Sequence, residues 1–172
     1  MKPRDNLSVF RSEFLNADTW AQRKDGVPLE TLDCLTEEEL PVAEEELISK
    51  AGLNDNWPVI GLGHIRSHKA LPALYRLLGE AEGSQRIVIA HSIFQINKDK
   101  KMCNAVLDEL THAGLWSKFS IIAILYMLRD FENPEITGKL IEFCDSENYL
   151  VAYNAARALE PEHSGDGSFC VP

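Results

Sequence analysis

A repeat of about thirty residues limits this chain to a small set of folds. Four large aliphatic residues, Ile65, Ile96, Leu128 and Leu159, follow one another at intervals of 31, 32 and 31 positions, and each closes an apolar run of helical period. Such a fixed interval is typical of stacked helical hairpins, because one hairpin alone cannot bury its apolar face. The pattern therefore predicts an all-α fold, a short right-handed α-solenoid.

Length and composition fit one domain with a core of its own. The chain has 172 residues, of which 45% are hydrophobic and 26% charged, as in an ordinary globular protein. Its first residues do not resemble a secretion signal, and its most apolar stretch, residues 119–128, is far shorter than the roughly 20 residues that cross a bilayer. The four cysteines are widely spaced and form no Cys-x-x-Cys pair. These features predict a cytoplasmic protein with buried thiols.

Negative charge is concentrated in the first third of the chain. The net charge is −10, and residues 1–56 hold 13 acidic and 6 basic side chains, which gives −7 for that segment. This balance repels phosphate backbones and anionic lipid surfaces, so we expect neither a nucleic acid nor a membrane as partner. A basic protein is the expected partner. The alternative is that the surplus carboxylates only keep a small domain soluble.

Residues 1–56 predict an N-terminal helical cap. A helix is expected over residues 7–24, and its apolar face carries Phe10, Phe14, Ala17 and Ala21. A glycine and a proline after it end the helix. Thr36 lies three positions before Glu39, in the register of a capping box. We expect the next helix to start at residue 37 and to kink or split near Pro41.

From residue 57 the helices are expected to pair into about three and a half repeats, which end at residue 160. Pro58 opens the first repeat, Ser117 caps the third, and Asn148 opens a fourth that lacks a second helix. Small residues in the first helices are expected where neighbouring hairpins approach closely: Gly61, Gly63, Ala90, Ala123 and Ala155. Residues 1–160 thus form one predicted domain, and residues 161–172 a flexible C-terminal tail.

The first hairpin carries a resemblance to a known family. Residues 57–78 have small residues inside the first helix, a Gly63-His64-Ile65 turn, and the opening Ala70-Leu71-Pro72-Ala73-Leu74 in the second helix. This stretch resembles the short HEAT repeats of the phycobilisome-lyase type, and residues 154–159 are similar to the first-helix core of that repeat. The resemblance implies a HEAT-like right-handed α-solenoid. It implies no single function, because that family includes scaffolds, lyase subunits and enzymes.

No catalytic residue, metal or cofactor is expected. His64 and His68 have the spacing of a helical metal pair, but the repeat places them on either side of a turn. The iron-binding HEAT branch that resembles deoxyhypusine hydroxylase uses His-Glu dipeptides, and this chain contains none. The branch that resembles alkylpurine DNA glycosylases has a basic groove, which the acidic balance of this chain does not provide.

Two sets of side chains are the predicted partner-binding residues. The first set lies in the acidic block at residues 37–46: Glu37, Glu38, Glu44 and Glu45. The second set occupies outward positions of the second helices, which line the concave side in such arrays: Tyr75, Arg76, Asp108, Glu109, Lys139 and Glu142. A solvated helix surface would look the same in sequence.

The expected function is non-catalytic protein binding. Two roles are compatible with it: an immunity-type inhibitor of a basic toxin domain, and an adaptor or scaffold. Both suit a small acidic protein, since opposite charge speeds its association with a basic partner. The alternative is a lyase-like or other enzyme subunit with a small-molecule pocket in the concave groove. The sequence predicts neither the identity of the partner nor an oligomeric state.

Overall fold

Helices are the only regular secondary structure in residues 5–160, the part of the chain that the structure, a computed structural model, describes. The predicted all-α class is therefore confirmed, and no helix in this range is long and apolar enough to cross a bilayer. The chain divides into two compact units, Met1–Trp116 and Ser117–Pro172. The single repeat domain over residues 1–160 stays a prediction. The predicted tail, residues 161–172, lies outside the described residues.

The N-terminal segment is more broken than the sequence pattern suggests. It contains α1 Asn6–Phe10, a π-helical turn Arg11–Leu15, α2 Trp20–Arg23, α3 Glu30–Asp33 and α4 Leu40–Lys50. The continuous helix predicted over residues 7–24 is wrong, because the chain leaves the helix at Asn16 and starts a new one with a capping box between Thr19 and Gln22. The apolar face before this break is buried, at Phe10, Phe14 and Ala17. Ala21, beyond the break, is exposed.

The capping box predicted at Thr36 is present. Its hydroxyl accepts a hydrogen bond from the Glu39 backbone N–H at 3.2 Å, and the Glu39 carboxylate accepts one from the Thr36 N–H at 2.9 Å. α4 begins at Leu40, three residues later than predicted. Pro41 consequently lies in the first turn, where a helix loses no hydrogen bond to proline, and it does not kink the helix.

Two helical hairpins complete the first unit. They are α5 Asn56–His64 with α6 Leu71–Glu80, and α7 Gly83–Asn97 with α8 Lys101–Leu110. α7 packs against α5, α6 and α8, and α4 packs on α5. Because α7 has neighbours on several sides, eight of its fifteen residues are buried, with Ile87, Ile89 and Ile93 fully enclosed. Pro58 lies in the first turn of α5, as predicted.

Two glycines in α5 permit the closest helix contacts of the first unit. A Cβ atom built on Gly61 would lie 2.9 Å from Cζ of Phe14 and 3.3 Å from Cδ2 of Leu47. A Cβ atom on Gly63 would lie 2.9 Å from both Cα and Cβ of Ser92 in α7. Gly61 thus admits side chains of the N-terminal segment, whereas Gly63 lets two helix backbones approach.

In its described part, residues 117–160, the second unit contains three helices, α9 Lys118–Arg129, α10 Pro134–Cys144 and α11 Tyr149–Leu159, each packed on the other two. Side chains of Ser117, Asn133 and Asn148 accept hydrogen bonds from the first backbone N–H groups of these helices. The buried core comprises Ile124, Leu125, Leu128, Phe131, Ile136, Leu140, Val151, Ala155 and Ala158. Ala123 is exposed, so the close helix contact predicted at that residue is wrong.

One backbone conformation recurs in the turns between paired helices. Arg66, Lys98 and Glu132 have φ values of 52°, 55° and 49°, in the left-handed region that non-glycine residues seldom adopt. They follow one another at intervals of 32 and 34 residues. At Lys98 this conformation closes α7, where its N–H donates to the carbonyl of Phe94 at 2.9 Å. The thirty-residue sequence period is therefore accompanied by a repeated turn geometry.

Candidate protein-binding surface

The predicted acidic residues lie at the beginning of α4 and in the turn before it. Glu37 and Glu38 are exposed in that turn, Glu45 is exposed on the helix, and Glu44 is half-buried. We call these four residues the acidic flank. The capping box at Thr36 fixes the turn, because it holds the backbone N–H groups on both sides of Glu37 and Glu38.

Ion pairs neutralise part of the acidic block. Lys69, from the turn between α5 and α6, donates to Glu45 at 2.8 Å. This hydrogen bond lowers the pKa of Glu45 and raises the pKa of Lys69. Arg11 donates through both Nε and a terminal nitrogen to Glu46, which joins the π-helical turn to α4. Both pairs are partly or largely exposed and contribute little to stability.

Three carboxylates of the acidic flank form no ion pair among residues 5–160, although Glu44 lies close enough to Lys69 for its charge to raise the pKa of that lysine. Within residues 5–160, no lysine, arginine or histidine nitrogen lies within 4.0 Å of a carboxylate oxygen of Glu37, Glu38 or Glu44. Nearby exposed carboxylates without counter-ions repel one another and attract cations. Glu37, Glu38 and Glu44 can thus form new ion pairs without first breaking an ion pair of their own.

Tyr75 and Arg76 of α6 differ in their freedom to contact a partner. The Tyr75 hydroxyl donates to Asp99 Oδ2 at 2.7 Å and accepts from Asn97 Nδ2 at 3.1 Å. Burial, and then the hydrogen bond to Asp99, raise the pKa of Tyr75. The residue is 38% exposed, so it ties α6 to the turn after α7 and remains accessible to a partner. Arg76 is exposed.

The two predicted partner-binding residues on α8 differ in their exposure. Asp108 is exposed, but the outward position predicted for Glu109 is wrong: only 9% of this residue is exposed. Its carboxylate accepts from the Gly83 backbone N–H at 2.8 Å and from Arg86 at 3.2 Å, which turns it inward onto the start of α7. A carboxylate at the N-terminal end of a helix is also favoured by the helix dipole. Glu109 is therefore a structural residue that joins α8 to α7.

Lys139 and Glu142 of α10 bind each other. Lys139 Nζ lies 3.1 Å and 2.9 Å from the two carboxylate oxygens of Glu142, in an i, i+3 arrangement. An exposed pair of this type adds at most a few tenths of a kcal/mol, so a partner could replace it at small cost. Both residues belong to the second unit, whereas the acidic flank, Tyr75, Arg76 and Asp108 belong to the first.

His64 lies within hydrogen-bond distance of a carboxylate of the N-terminal segment. His64 Nε2, at the end of α5, lies 2.6 Å from Asp33 Oδ1 at the end of α3. His68 lies beyond the turn, in a short 3₁₀ helix. Among residues 5–160, no group of three or more His, Cys, Asp or Glu side chains has the arrangement of a metal site.

Two adjoining clefts lie in a segment where the sequence indicated no site. One has a volume of about 310 Å³ and the other about 150 Å³, and Glu13 and Glu30 line both. They lie between residues 6 and 34, not on the hairpin helices where a concave pocket was expected. No sequence signal pairs Glu13 with Glu30, because they lie 17 positions apart and in different helical segments.

Comparison with known proteins does not add a family to these observations: no protein-family model matches this chain, and no curated protein or solved structure shows significant similarity to it.

Proposed function

We propose that this protein is a non-catalytic binding module for a basic protein partner and that the acidic flank makes the principal contact. The supporting observation is that Glu37, Glu38 and Glu44 form no ion pair within the described residues and lie on a turn and helix held by the Thr36 capping box. A fixed set of like charges attracts an oppositely charged surface before contact and speeds association. Tyr75, Arg76 and Asp108 supply further accessible contacts on the same unit.

An inhibitor of a basic toxin domain, of the immunity type, and an adaptor are the two roles that this surface suits. In both, a small acidic protein must find a basic partner rapidly and cover it without chemistry. The net charge of −10 favours such association at low ionic strength.

The proposed scaffold is a short HEAT-like α-solenoid. Three observations support it: paired helices joined by short turns, the left-handed residue that recurs in those turns, and the glycine contact that brings α5 onto α7. In such arrays each hairpin buries its apolar face against its neighbours, which leaves the outer helix surfaces available for binding.

The test is a tagged capture from the lysate of the source cell, with wild type compared against the triple variant Glu37→Gln, Glu38→Gln, Glu44→Gln. We expect wild type to retain one basic protein in stoichiometric amount. Washing at about 1 M salt, where the Debye length falls to about 3 Å, should release it. The triple variant should retain several-fold less at physiological salt.

A second triple variant controls for loss of net charge alone. It removes three exposed carboxylates that form no ion pair within the described residues: Glu80→Gln, Glu82→Gln and Glu147→Gln. This variant should retain the partner as wild type does. Equal losses in the two triple variants, or the absence of any retained basic protein, would contradict the proposed function.

A further inference from the structure

The two clefts of the N-terminal segment form one groove with two ends. α1 and the π-helical turn make one wall, and α3 with the loop before it makes the other. Glu13 and Glu30 lie where the clefts meet. We call this the N-terminal groove, and its lining consists of Asn6, Val9, Glu13, Gln22, residues 25–28, Glu30, Thr31 and Cys34.

The charge of the groove is negative along its wider end. Glu13, Asp25 and Glu30 line that end, and no cationic side chain is among its lining residues. Neither Glu13 nor Glu30 has an ion-pair or hydrogen-bond partner among the described residues. Asp25 has only Lys24, at 3.9 Å, and its side chain is 85% exposed. Two carboxylates without counter-ions that line the same cleft favour a cation in it.

The narrower end of the groove has a different character. Val9 and Thr31 lie there beside Glu13 and Glu30, and the accessible lining is mainly apolar. An acidic site next to an apolar one suits a basic side chain with an apolar neighbour in sequence, or the aliphatic stem of the basic residue itself. A surface that was negative throughout would attract a basic side chain but would not favour an apolar neighbour beside it.

One hydrogen bond joins the two walls of the groove, and an ion pair fixes one wall to α4. Asn6 Nδ2 donates to the carbonyl of Cys34 at 2.8 Å, which joins the start of α1 to the end of α3. The π-helical turn that carries Glu13 is fixed on its other side by the pair between Arg11 and Glu46. A ligand therefore meets an existing groove and need not order the chain to form it, which lowers the cost of binding.

The groove also adjoins the acidic flank. The backbone N–H of Leu7, next to Asn6 in α1, donates to the Glu39 carboxylate at 3.4 Å, and Glu39 follows Glu38 in the flank turn. A bound segment that leaves the Asn6 end of the groove would thus reach the flank within a few residues, at about 3.3–3.6 Å per extended residue.

We infer that the N-terminal groove binds a short basic segment of the partner, with an arginine or lysine between Glu13 and Glu30 and an adjacent apolar side chain against Val9. This inference rests on the proposed function and adds a second contact to it. Arginine fits the wider end best, because its planar guanidinium can donate to two carboxylates at once.

The test uses a defined probe and the full-length chain. Uniformly ¹⁵N-labelled protein is titrated with acetyl-Arg-Leu-Arg-amide, and acetyl-Glu-Leu-Glu-amide serves as the control peptide. We expect saturable shifts of backbone amides in residues 6–34 with the basic peptide and none with the acidic one. The double variant Glu13→Gln, Glu30→Gln should weaken binding about tenfold, the size expected for loss of charge-assisted hydrogen bonds.

A matched variant separates the groove from general attraction. Glu37→Gln with Glu38→Gln removes the same charge from the flank and should leave the peptide affinity within about twofold, since neither carboxylate lines the groove. Thermal melts of both variants within about 2 °C of wild type would exclude misfolding. No binding at millimolar peptide, shifts spread over the acidic surface, or equal weakening by the two variants would each overturn the inference.

The peptide titration tests the groove, and the capture experiment tests the proposed function, so the two can fail independently. If a basic protein is captured through the flank but the peptide does not bind at residues 6–34, the groove inference fails and the function stands. If the peptide binds the groove but no basic protein is captured, the groove is a site for cationic peptides and the proposed function fails.

Discussion

Replacement of Gly63 by alanine tests the closest helix contact in the first unit. A Cβ atom at this position would lie 2.9 Å from Cα and Cβ of Ser92 and 3.0 Å from its Oγ. The nearest atoms belong to a helix backbone and to the short, buried Ser92 side chain, whose hydroxyl donates to the carbonyl of Val88 at 3.1 Å. Neither can rotate away, so α5 and α7 must separate.

Two opposing effects set the magnitude. Alanine in place of glycine inside a helix stabilises it by about 1 kcal/mol. Overpacking of a dense contact costs about 1–3 kcal/mol, and a contact with backbone atoms belongs at the upper end of that range. We therefore expect Gly63→Ala to lower the free energy of unfolding by about 1–2 kcal/mol, which corresponds to a decrease in Tm of about 2–8 °C for a chain of this length.

Tryptophan fluorescence makes the assay specific for the first unit. All three tryptophans, Trp20, Trp57 and Trp116, lie in that unit, and Trp57 is buried beside Phe14. Urea unfolding followed at their emission maximum gives the free energy of unfolding and the m-value.

The matched control is Gly79→Ala in the last turn of α6, where an added Cβ meets no atom within 4 Å. This variant should be as stable as wild type or more stable, by about 0.5 kcal/mol. If Gly63→Ala is also as stable as wild type, the close approach of α5 to α7 is not the reason for glycine at this position.

Three further outcomes are expected. Asp55→Ala should destabilise the first unit by about 1–2 kcal/mol in the same urea assay, because Asp55 caps α5 and pairs with Arg23, whose guanidinium lies over the Trp57 ring; an unchanged midpoint would contradict this. Thermal melts should show lower stability at pH 3 than at pH 6. For Asp55, burial raises the pKa, but hydrogen bonds from Arg23 and from a backbone N–H outweigh it; for Asp99, the hydrogen bond from Tyr75 lowers the pKa. Both carboxylates thus stabilise the fold fully above their usual pKa of 3.8, and this contribution is lost as the pH falls through their lowered pKa values. A Tm that does not change between pH 6 and pH 3 would show that these two carboxylates do not stabilise the fold. In the second unit, Asn148→Ala removes the cap of α11 and should cost about 1 kcal/mol, seen as faster hydrogen exchange at the amides of α11, whereas unchanged exchange would show that the cap does not hold the helix.

Short-range signals account for the part of the fold that the sequence predicts well. The Thr36 capping box, the cap at Ser117 and Pro58 in the first turn of α5 each depend on residues at most three apart. The break before α2 also has such a signal, since Thr19 and Gln22 have capping-box spacing, but the apolar periodicity on either side of it favoured one continuous helix. In the structure the capping box at Thr19 starts a new helix, and the apolar periodicity does not extend the first helix across this point.

The candidate site depends on contacts that the sequence does not encode locally. Periodicity places Glu109 on the outer face of α8, but the N–H of Gly83, 26 residues earlier, draws its carboxylate inward. Likewise, the glutamates of the acidic block look equivalent in sequence. In the structure, some of them pair with a cation from a distant part of the chain and others do not. Lys69 lies 24 residues from Glu45, and Arg11 lies 35 residues from Glu46. Such pairings follow from the packing of helices and cannot be derived from spacing along one of them.

Some carboxylates of the first unit form ion pairs and others do not, and the location of the unpaired ones distinguishes a binding surface from one that only keeps the protein soluble. In the first unit, cations meet acidic side chains where helices or their ends come together: Arg11 with Glu46, Arg23 with Asp55, Lys69 with Glu45, and Arg86 with Glu109. Part of the charge left over is grouped at the acidic flank and the N-terminal groove, and the rest, such as that of Glu80 and Glu82, lies elsewhere on the unit. If these carboxylates served solubility alone, any three exposed ones would be equivalent, because solubility depends on net charge. The flank triple variant and its control lose the same net charge, so a difference between them in partner retention can arise only from where the charges lie.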